Sequence, residues 1–336
     1  MNTVVVIVAA LVLAGLGVRL MHAARTEPRE RMLHTYSQQV GLALVPEIVP
    51  ELSRRIYRRE RAGIVGAMAG LVVGVSALAG LHGNEASWNG LLVGVTMTVG
   101  STTGLIVSDS RSAFAPVPDV PRLARTVSPG LADYVTPLDR AFSLSLLAFA
   151  ALGYVAVLGV IAVNPERVFD DVSVRSILWP AGLLLALAAA ASLLTWAAAG
   201  RLLGRGQPAG TFIELAWSDA FRSTTLRSLV GIPGIIAAVS SGVLFLSLSQ
   251  AIEIPLPGSV GEILVDSFTI IGPVLLVALI GWILASESKR STTHYLRRLW
   301  PETAVELDRR RHARGTAADD QRDDRPDENS RTKTPA

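Results

Sequence analysis

The sequence contains no cysteine, which excludes disulfides, thiol nucleophiles and cysteine-bound iron-sulfur clusters. Lysine is nearly missing too: among 31 basic residues only Lys289 and Lys333 are lysine, and the rest are arginine. Together with abundant alanine, glycine and valine, that bias is expected of a GC-rich genome and points to a bacterial plasma membrane. Charge as a whole is scarce, at 18% of residues, where soluble domains carry about a quarter. Its absence is concentrated in seven runs, 1–18, 62–84, 86–108, 141–165, 176–200, 228–252 and 267–286, which contain no Asp, Glu, Lys or Arg and, apart from His82, no His.

That absence excludes several functions. Proton relays, ion-coupled transport and voltage sensing use ionisable groups held inside the bilayer. A retinal Schiff base needs a buried lysine, an intramembrane aspartyl protease needs two aspartates, and a rhomboid-like serine protease needs a histidine within the membrane to activate its serine. His22, His34, His82, His294 and His312 all fall at run edges or in connections.

What remains is an all-α chain. Half of the residues are hydrophobic, and each run approaches or exceeds the roughly 20 residues that carry a helix across a hydrocarbon core of about 30 Å. Segments such as 183–199 lack the apolar-polar alternation of a transmembrane barrel strand. The first run carries no positive charge ahead of its apolar core, as a cleaved signal peptide would, so a retained helix over 1–21 is expected. Basic residues number eight in 22–61, four in 109–140, four in 201–227 and twelve in 287–336, with only Arg167 and Arg175 in the alternate connections. The positive-inside rule then predicts a polytopic bundle of seven transmembrane helices, with the N-terminus outside and the C-terminus cytoplasmic.

The expected organisation is a first helix (1–21), a cytoplasmic basic amphipathic segment (22–61), a six-helix region (62–286), a basic juxtamembrane helix (287–314) and a disordered tail (315–336). In 22–61, Leu33, Tyr36, Val40 and Leu44, then Ile48, Leu52 and Ile56, recur at helical spacing. They predict two short helices broken around Pro46 and Pro50 that lie on the membrane surface, with Arg54, Arg55, Arg58, Arg59 and Arg61 toward anionic lipid. The segment 212–228 predicts another short interfacial helix. Hairpins starting near 62, 141 and 228 fit either an internal repeat or plain alternation of topology.

Hydroxyls cluster in the third and sixth runs. Thr98, Ser101, Thr102, Ser240 and Ser241 fit either a path for a neutral polar solute or hydroxyls bonded to their own helices, and the glycine ridges Gly66, Gly70, Gly74, Gly90, Gly94, Gly100 and Gly104 favour close packing. Pro233 and Pro273 fit either interrupted half-helices or ordinary helix entries. Asp170, Asp171 and the stretch 82–85 could offer oxygen ligands to a metal-dependent transferase, although no metal-ligand spacing recurs, and no cofactor or metal is expected.

In the connection 201–227, Glu214, Leu215 and Ala216, then Ala220, then Val230 to Pro233, keep the spacing of a known signature. It resembles the cytoplasmic coupling loop of binding-protein-dependent ABC importer permeases, with Ala220 where that family has glycine. The resemblance implies a short helix docking on an ATPase subunit, with Glu214, Asp219 and Arg222 as candidate docking residues. The stretches 133–140 and 219–229, each just ahead of a run, resemble a group of uncharacterised polytopic membrane proteins of high-GC actinobacteria and transfer no activity. The expected role is a non-catalytic, transport-associated or permease-like subunit. The alternatives are a scaffold recruiting lipids or proteins through its basic segments and, more remotely, an outer-face metal-dependent transferase. Expected partners are the bilayer, anionic lipids and an ATPase subunit or other membrane protein, not nucleic acid.

Overall fold

The computed structural model describes residues 3–23, 26–80, 89–111, 128–163, 174–207, 209–251 and 293–305. Among them every regular element is helical: α1 (Thr3–Ala23), α2 (Thr26–Val40), α3 (Val49–Gly80), α4 (Asn89–Arg111), α5 (Leu131–Tyr134), α6 (Pro137–Val163), α7 (Val174–Gly204), α8 (Phe212–Ala251) and α9 (His294–Leu299). Four stretches are long and apolar enough to cross a membrane: Leu92–Asp109, Pro137–Gly159, Leu178–Gly204 and Phe212–Leu248. The chain is therefore an all-helical membrane protein, whose exposed Leu152, Val155, Leu193, Leu194 and Trp196 form a surface suited to lipid. The seventh run with Pro273, the pair Asp170 and Asp171, the stretch 82–85 and the tail 315–336 lie outside the described residues.

Two elements are longer than their sequence pattern suggests. The expected break around Pro46 is present but opens earlier, after Val40, with Gly41 at φ 73° in the left-handed region that glycine enters without a Cβ penalty. Pro50, however, interrupts nothing. It sits in the first turn of α3, where its missing N–H would have no partner, and the helix continues from the arginine-rich stretch straight to Gly80. Likewise 212–228 is not a separate interfacial helix but the first half of α8, which runs unbroken for 40 residues.

Pro233 is consequently an interior helical residue, and its ring denies a hydrogen bond to the carbonyl of Leu229. The Thr195 hydroxyl of α7 donates to that carbonyl at 3.1 Å, and the Ser143 hydroxyl of α6 donates to the next one, Val230, at 2.7 Å. The three helices are thus joined by hydrogen bonds where α8 is weakest.

The core has two parts. Within the membrane stretch Leu146, Ala150, Val157, Ala181, Leu184, Ala188, Ile232, Ile236 and Val243 pack α6, α7 and α8 together. At the arginine-rich end a second cluster joins Leu33, Val40, Leu52 and Ile56 to Tyr134, Trp217, Phe221, Leu226, Tyr295 and Leu296. The predicted apolar face of 22–61 is therefore buried in a folded cap rather than laid along the bilayer surface.

The α3/α4 pair is held differently, by backbone contact. A Cβ on Gly66 would overlap the Gly100 carbonyl oxygen, one on Gly70 the Thr96 carbonyl, one on Gly100 the Gly66 carbonyl, and one on Gly104 the Ala62 carbonyl. Gly94, by contrast, has nothing within 4 Å of such an atom, so its ridge is not part of this interface. Without a hydrophobic driving force between helices in lipid, such close approach and the dispersion it allows supply the association. Gly100→Ala is expected to destabilise the protein by about 1–3 kcal/mol, as overpacking does, while Gly94→Ala, with open space and a better helix former, is expected not to destabilise it. Thermal unfolding of both variants in detergent, followed by tryptophan fluorescence, checks this contrast.

Candidate functional site

The arginine run of α3 is divided by helical phase. Arg55 and Arg59 stand four residues apart on one face, each 7% exposed, whereas Arg54, Arg58 and Arg61 share another face and are exposed. The expectation that all five meet lipid head groups is corrected for Arg55 and Arg59, whose phase on α3 turns them into the cap.

A buried arginine needs replacements for the water it has lost. Asp109, from the last turn of α4, lies with Oδ2 3.5 Å from Arg59 Nη1, and the same oxygen accepts a hydrogen bond from the Thr225 hydroxyl. Arg59 Nη1 also reaches the Tyr36 hydroxyl at 3.4 Å, and that hydroxyl is 3.1 Å from Thr224 Oγ1. The Arg55 guanidinium sits 4.3 Å above the Phe221 ring, with that of Arg59 5.7 Å away, so one aromatic face attracts both cations. Tyr36 stacks on the Phe221 and Trp217 rings at 5.3 and 6.2 Å.

Burial pulls the Arg55 guanidinium down to about 10, with Asp109 acting in the opposite direction. Burial works against Arg59 as well, but Asp109 and Tyr36 outweigh it and hold Arg59 above its ordinary value. Burial pushes the Tyr36 phenol up against the opposing pull of Arg59, and pushes Tyr295 well up.

A second centre forms around Asp219, which is fully buried. Its Oδ1 accepts hydrogen bonds from the Tyr134 hydroxyl at 2.8 Å and from Gln207 Nε2 at 3.0 Å, and its Oδ2 accepts one from Trp300 Nε1 at 3.0 Å. The donors come from three separate connections, so one carboxylate gathers 128–135, 205–207 and 293–305 onto α8. Around it the Ser223 hydroxyl donates to the Tyr134 carbonyl, and the Tyr295 hydroxyl donates to the Val40 carbonyl. Arg227 and Asp139 add an ion pair at 3.5 Å between α8 and α6.

The three candidate docking residues share α8 but not a surface. Asp219 is enclosed and does not face a partner. Glu214 accepts the Gly210 N–H at 2.8 Å while Thr211 Oγ1 accepts the Glu214 N–H at 3.2 Å, which is a capping arrangement for the helix start. Arg222 donates to the Arg205 carbonyl at 2.8 Å and ties down the end of α7.

The candidate polar-path residues are also occupied. Thr98 donates to the Gly94 carbonyl, Thr102 to Thr98, Ser241 to Ala237 and Ser240 to Ala181 across the helix pair. Ser101 alone among them has no hydrogen-bond partner among the described residues, and with Thr98 and Thr102 it lines a groove of about 310 Å³ between α1, α3 and α4.

The sequence reading missed Asp109, Tyr134 and Trp300, and it gave Tyr36 only an apolar face and Arg59 only a lipid-facing role. The available signal was position: Asp109 and Arg59 lie at the ends of adjacent uncharged runs. Among the described residues no three His, Asp or Glu side chains converge as metal ligands. Joined through Asp109 and Asp219, this arrangement clamps and orients the helices. No known family, curated protein or solved structure matches the chain.

Asp219→Ala strands the buried Tyr134 hydroxyl and two half-buried donors, Gln207 and Trp300, and is expected to destabilise the protein by about 3 kcal/mol, whereas the exposed Arg58→Ala changes stability little. Chemical unfolding in mixed micelles compares the two. The pH dependence has a definite sign. A phenol whose folded-state pKa lies above its unfolded value of about 10 contributes stability that is complete below about pH 10 and is lost as the pH rises through the folded value. Tyr295→Phe lacks the Val40 bond and is expected to be less stable by about 1 kcal/mol at pH 7. Its deficit relative to the wild type should shrink between about pH 10 and 11, while Arg55 acts equally on both proteins. Unfolding midpoints measured across that range decide it.

Proposed function

We propose that this chain is a seven-span protein of a bacterial plasma membrane, with its N-terminus outside and its arginine-rich end in the cytoplasm. In this reading it acts as a non-catalytic scaffold whose folded cytoplasmic cap holds anionic lipids, and through them partner proteins, at the inner leaflet. The observation that carries this reading is the division of α3. Arg55 and Arg59 lock the cap from within, while Arg54, Arg58 and Arg61 remain exposed at spacings of four and three.

Val65 and Val72 continue that outer face of α3, at 48% and 54% exposure. One helical stripe thus changes from arginine to valine within a single turn, as a surface does where head groups give way to acyl chains. The three arginines form no ion pair among the described residues. The permease-like reading has less support, since four of the five candidate path hydroxyls are bonded to backbone carbonyls.

The test uses the full-length chain in nanodiscs of phosphatidylcholine doped with phosphatidylglycerol. The wild type should enrich phosphatidylglycerol around itself, and replacing Arg54, Arg58 and Arg61 together with glutamine should remove most of that enrichment, at about 1 kcal/mol per arginine. Equal enrichment by both proteins would overturn the scaffold reading. So would copurification of an ATPase subunit that is lost on Glu214→Ala or Arg222→Ala, which would favour the permease. Reporter tags on the two termini should lie on opposite sides of the membrane.

A further inference from the structure

The groove between α1, α3 and α4 has chemistry that the cap does not use. Its walls are Leu16 and Arg19 of α1, Gly63, Ile64 and Ala67 of α3, and Met97, Ser101 and Leu105 of α4, with Glu60, Thr98 and Thr102 completing it. At about 310 Å³ it falls at the lower end of small-ligand sites. From Glu60 to Ala67 it rises about 10 Å along α3, at 1.5 Å per residue, so it extends from the arginine-rich end into the apolar stretch.

Its mouth is charged and its interior is not. Arg19 Nη2 lies 2.6 Å from Glu60 Oε1, and the arginine side chain is 66% exposed. A guanidinium has five donors, so this contact leaves Arg19 able to bind a second anion. The cation and the carboxylate stand side by side at the groove's polar end, a layout complementary to a ligand carrying one charge of each sign.

Further in, the hydroxyls divide by their partners. Thr98, Thr102 and Thr103 each donate to the carbonyl four residues back, as hydroxyls in apolar helices do. Ser101, in the same turn and on the groove wall, has no partner among the described residues. In lipid an unpaired hydroxyl costs free energy, which an acceptor brought by a ligand removes.

We propose that this groove binds one inner-leaflet phosphatidylethanolamine. The Arg19 guanidinium takes the phosphate, the Glu60 carboxylate takes the ammonium, the Ser101 hydroxyl donates to an ester carbonyl, and an acyl chain lies along Ile64, Ala67 and Met97. Phosphatidylcholine offers Glu60 a cation that cannot donate a hydrogen bond. Phosphatidylglycerol offers it no cation and brings a net negative charge beside it. The site is separate from the exposed arginine face of α3 and stands whether or not that face gathers anionic lipid.

The experiment is native mass spectrometry of the full-length protein in maltoside micelles titrated with phosphatidylethanolamine, phosphatidylcholine or phosphatidylglycerol of identical acyl chains. The protein with Arg54, Arg58 and Arg61 replaced by glutamine, which keeps anionic lipid off that face, should retain phosphatidylethanolamine roughly three- to tenfold more than either other lipid, the range expected for one net hydrogen bond. Glu60→Gln should bring phosphatidylethanolamine down to the phosphatidylcholine level. Arg19→Gln, at an exposed side chain and so a safe second variant, should lower the retention of all three. Equal retention of the three lipids by that triple variant would overturn the proposal, as would an ethanolamine preference that persists unchanged when Glu60→Gln is added to it.

Discussion

A guanidinium withdrawn from water must find anions, acceptors or aromatic faces to replace the solvent, and the burial of Arg59 imposes that requirement on four elements at once. Arg59 comes from α3, Asp109 from α4, Tyr36 from α2, and Thr224, Thr225 and Phe221 from α8. Removing Asp109 would leave the guanidinium stranded at a cost of several kcal/mol. The requirement is therefore mutual: the connections cannot drift from the bundle without exposing Arg59, and α3 and α4 cannot separate without parting it from Asp109.

Two kinds of cohesion meet along α3. Along the apolar stretch of α4, α3 and α4 approach until glycine backbones touch, the contact that joins helices where lipid gives no hydrophobic reward. At the arginine-rich end water restores the hydrophobic driving force, and the cap is built like a soluble core, from Leu33, Leu52, Trp217, Phe221 and Tyr295 around paired charges. The same change of solvent explains the uneven use of polar groups. Hydroxyls in the membrane stretch satisfy carbonyls, including the Leu229 carbonyl that Pro233 leaves unpaired, whereas polar side chains in the cap gather around Asp109 and Asp219.

This difference also governs what could be read from the sequence. Uncharged runs are a signal dictated by lipid alone, so α4, α6, α7 and the second half of α8 fall close to 86–108, 141–165, 176–200 and 228–252. The apolar positions of 22–61 were legible from their spacing, and Leu33, Val40, Ile48, Leu52 and Ile56 are indeed buried. What covers them was not legible, since an apolar face reads the same against lipid as against Trp217. Helix ends were misjudged at Pro50 and at 212–228, because proline in a first turn and a polar half-helix both resemble a boundary when tertiary partners are unknown. The site was hidden for the same reason. Asp109 and Asp219 look like any loop acid until the partners that fold onto them are known.

The register of the α3/α4 pair links the two kinds of cohesion. Gly66 meets α4 at Gly100 and Gly104, which fixes how far one antiparallel helix is shifted along the other. Seven residues from Gly66 toward the arginine-rich end stands Arg59. Seven residues from the midpoint of Gly100 and Gly104 toward the same end stands Asp109. Contact in the membrane and the ion pair in the cap therefore require one and the same axial offset. A slip of one residue, about 1.5 Å, would both press a Cβ into a facing backbone and pull the carboxylate off register with the guanidinium. Neither glycines nor charges alone would specify the pair so narrowly: small residues tolerate several registers, and an arginine side chain can reach over a turn. Each constraint excludes what the other allows, and the charges at the arginine-rich end set the register of the apolar stretches that pack beyond them.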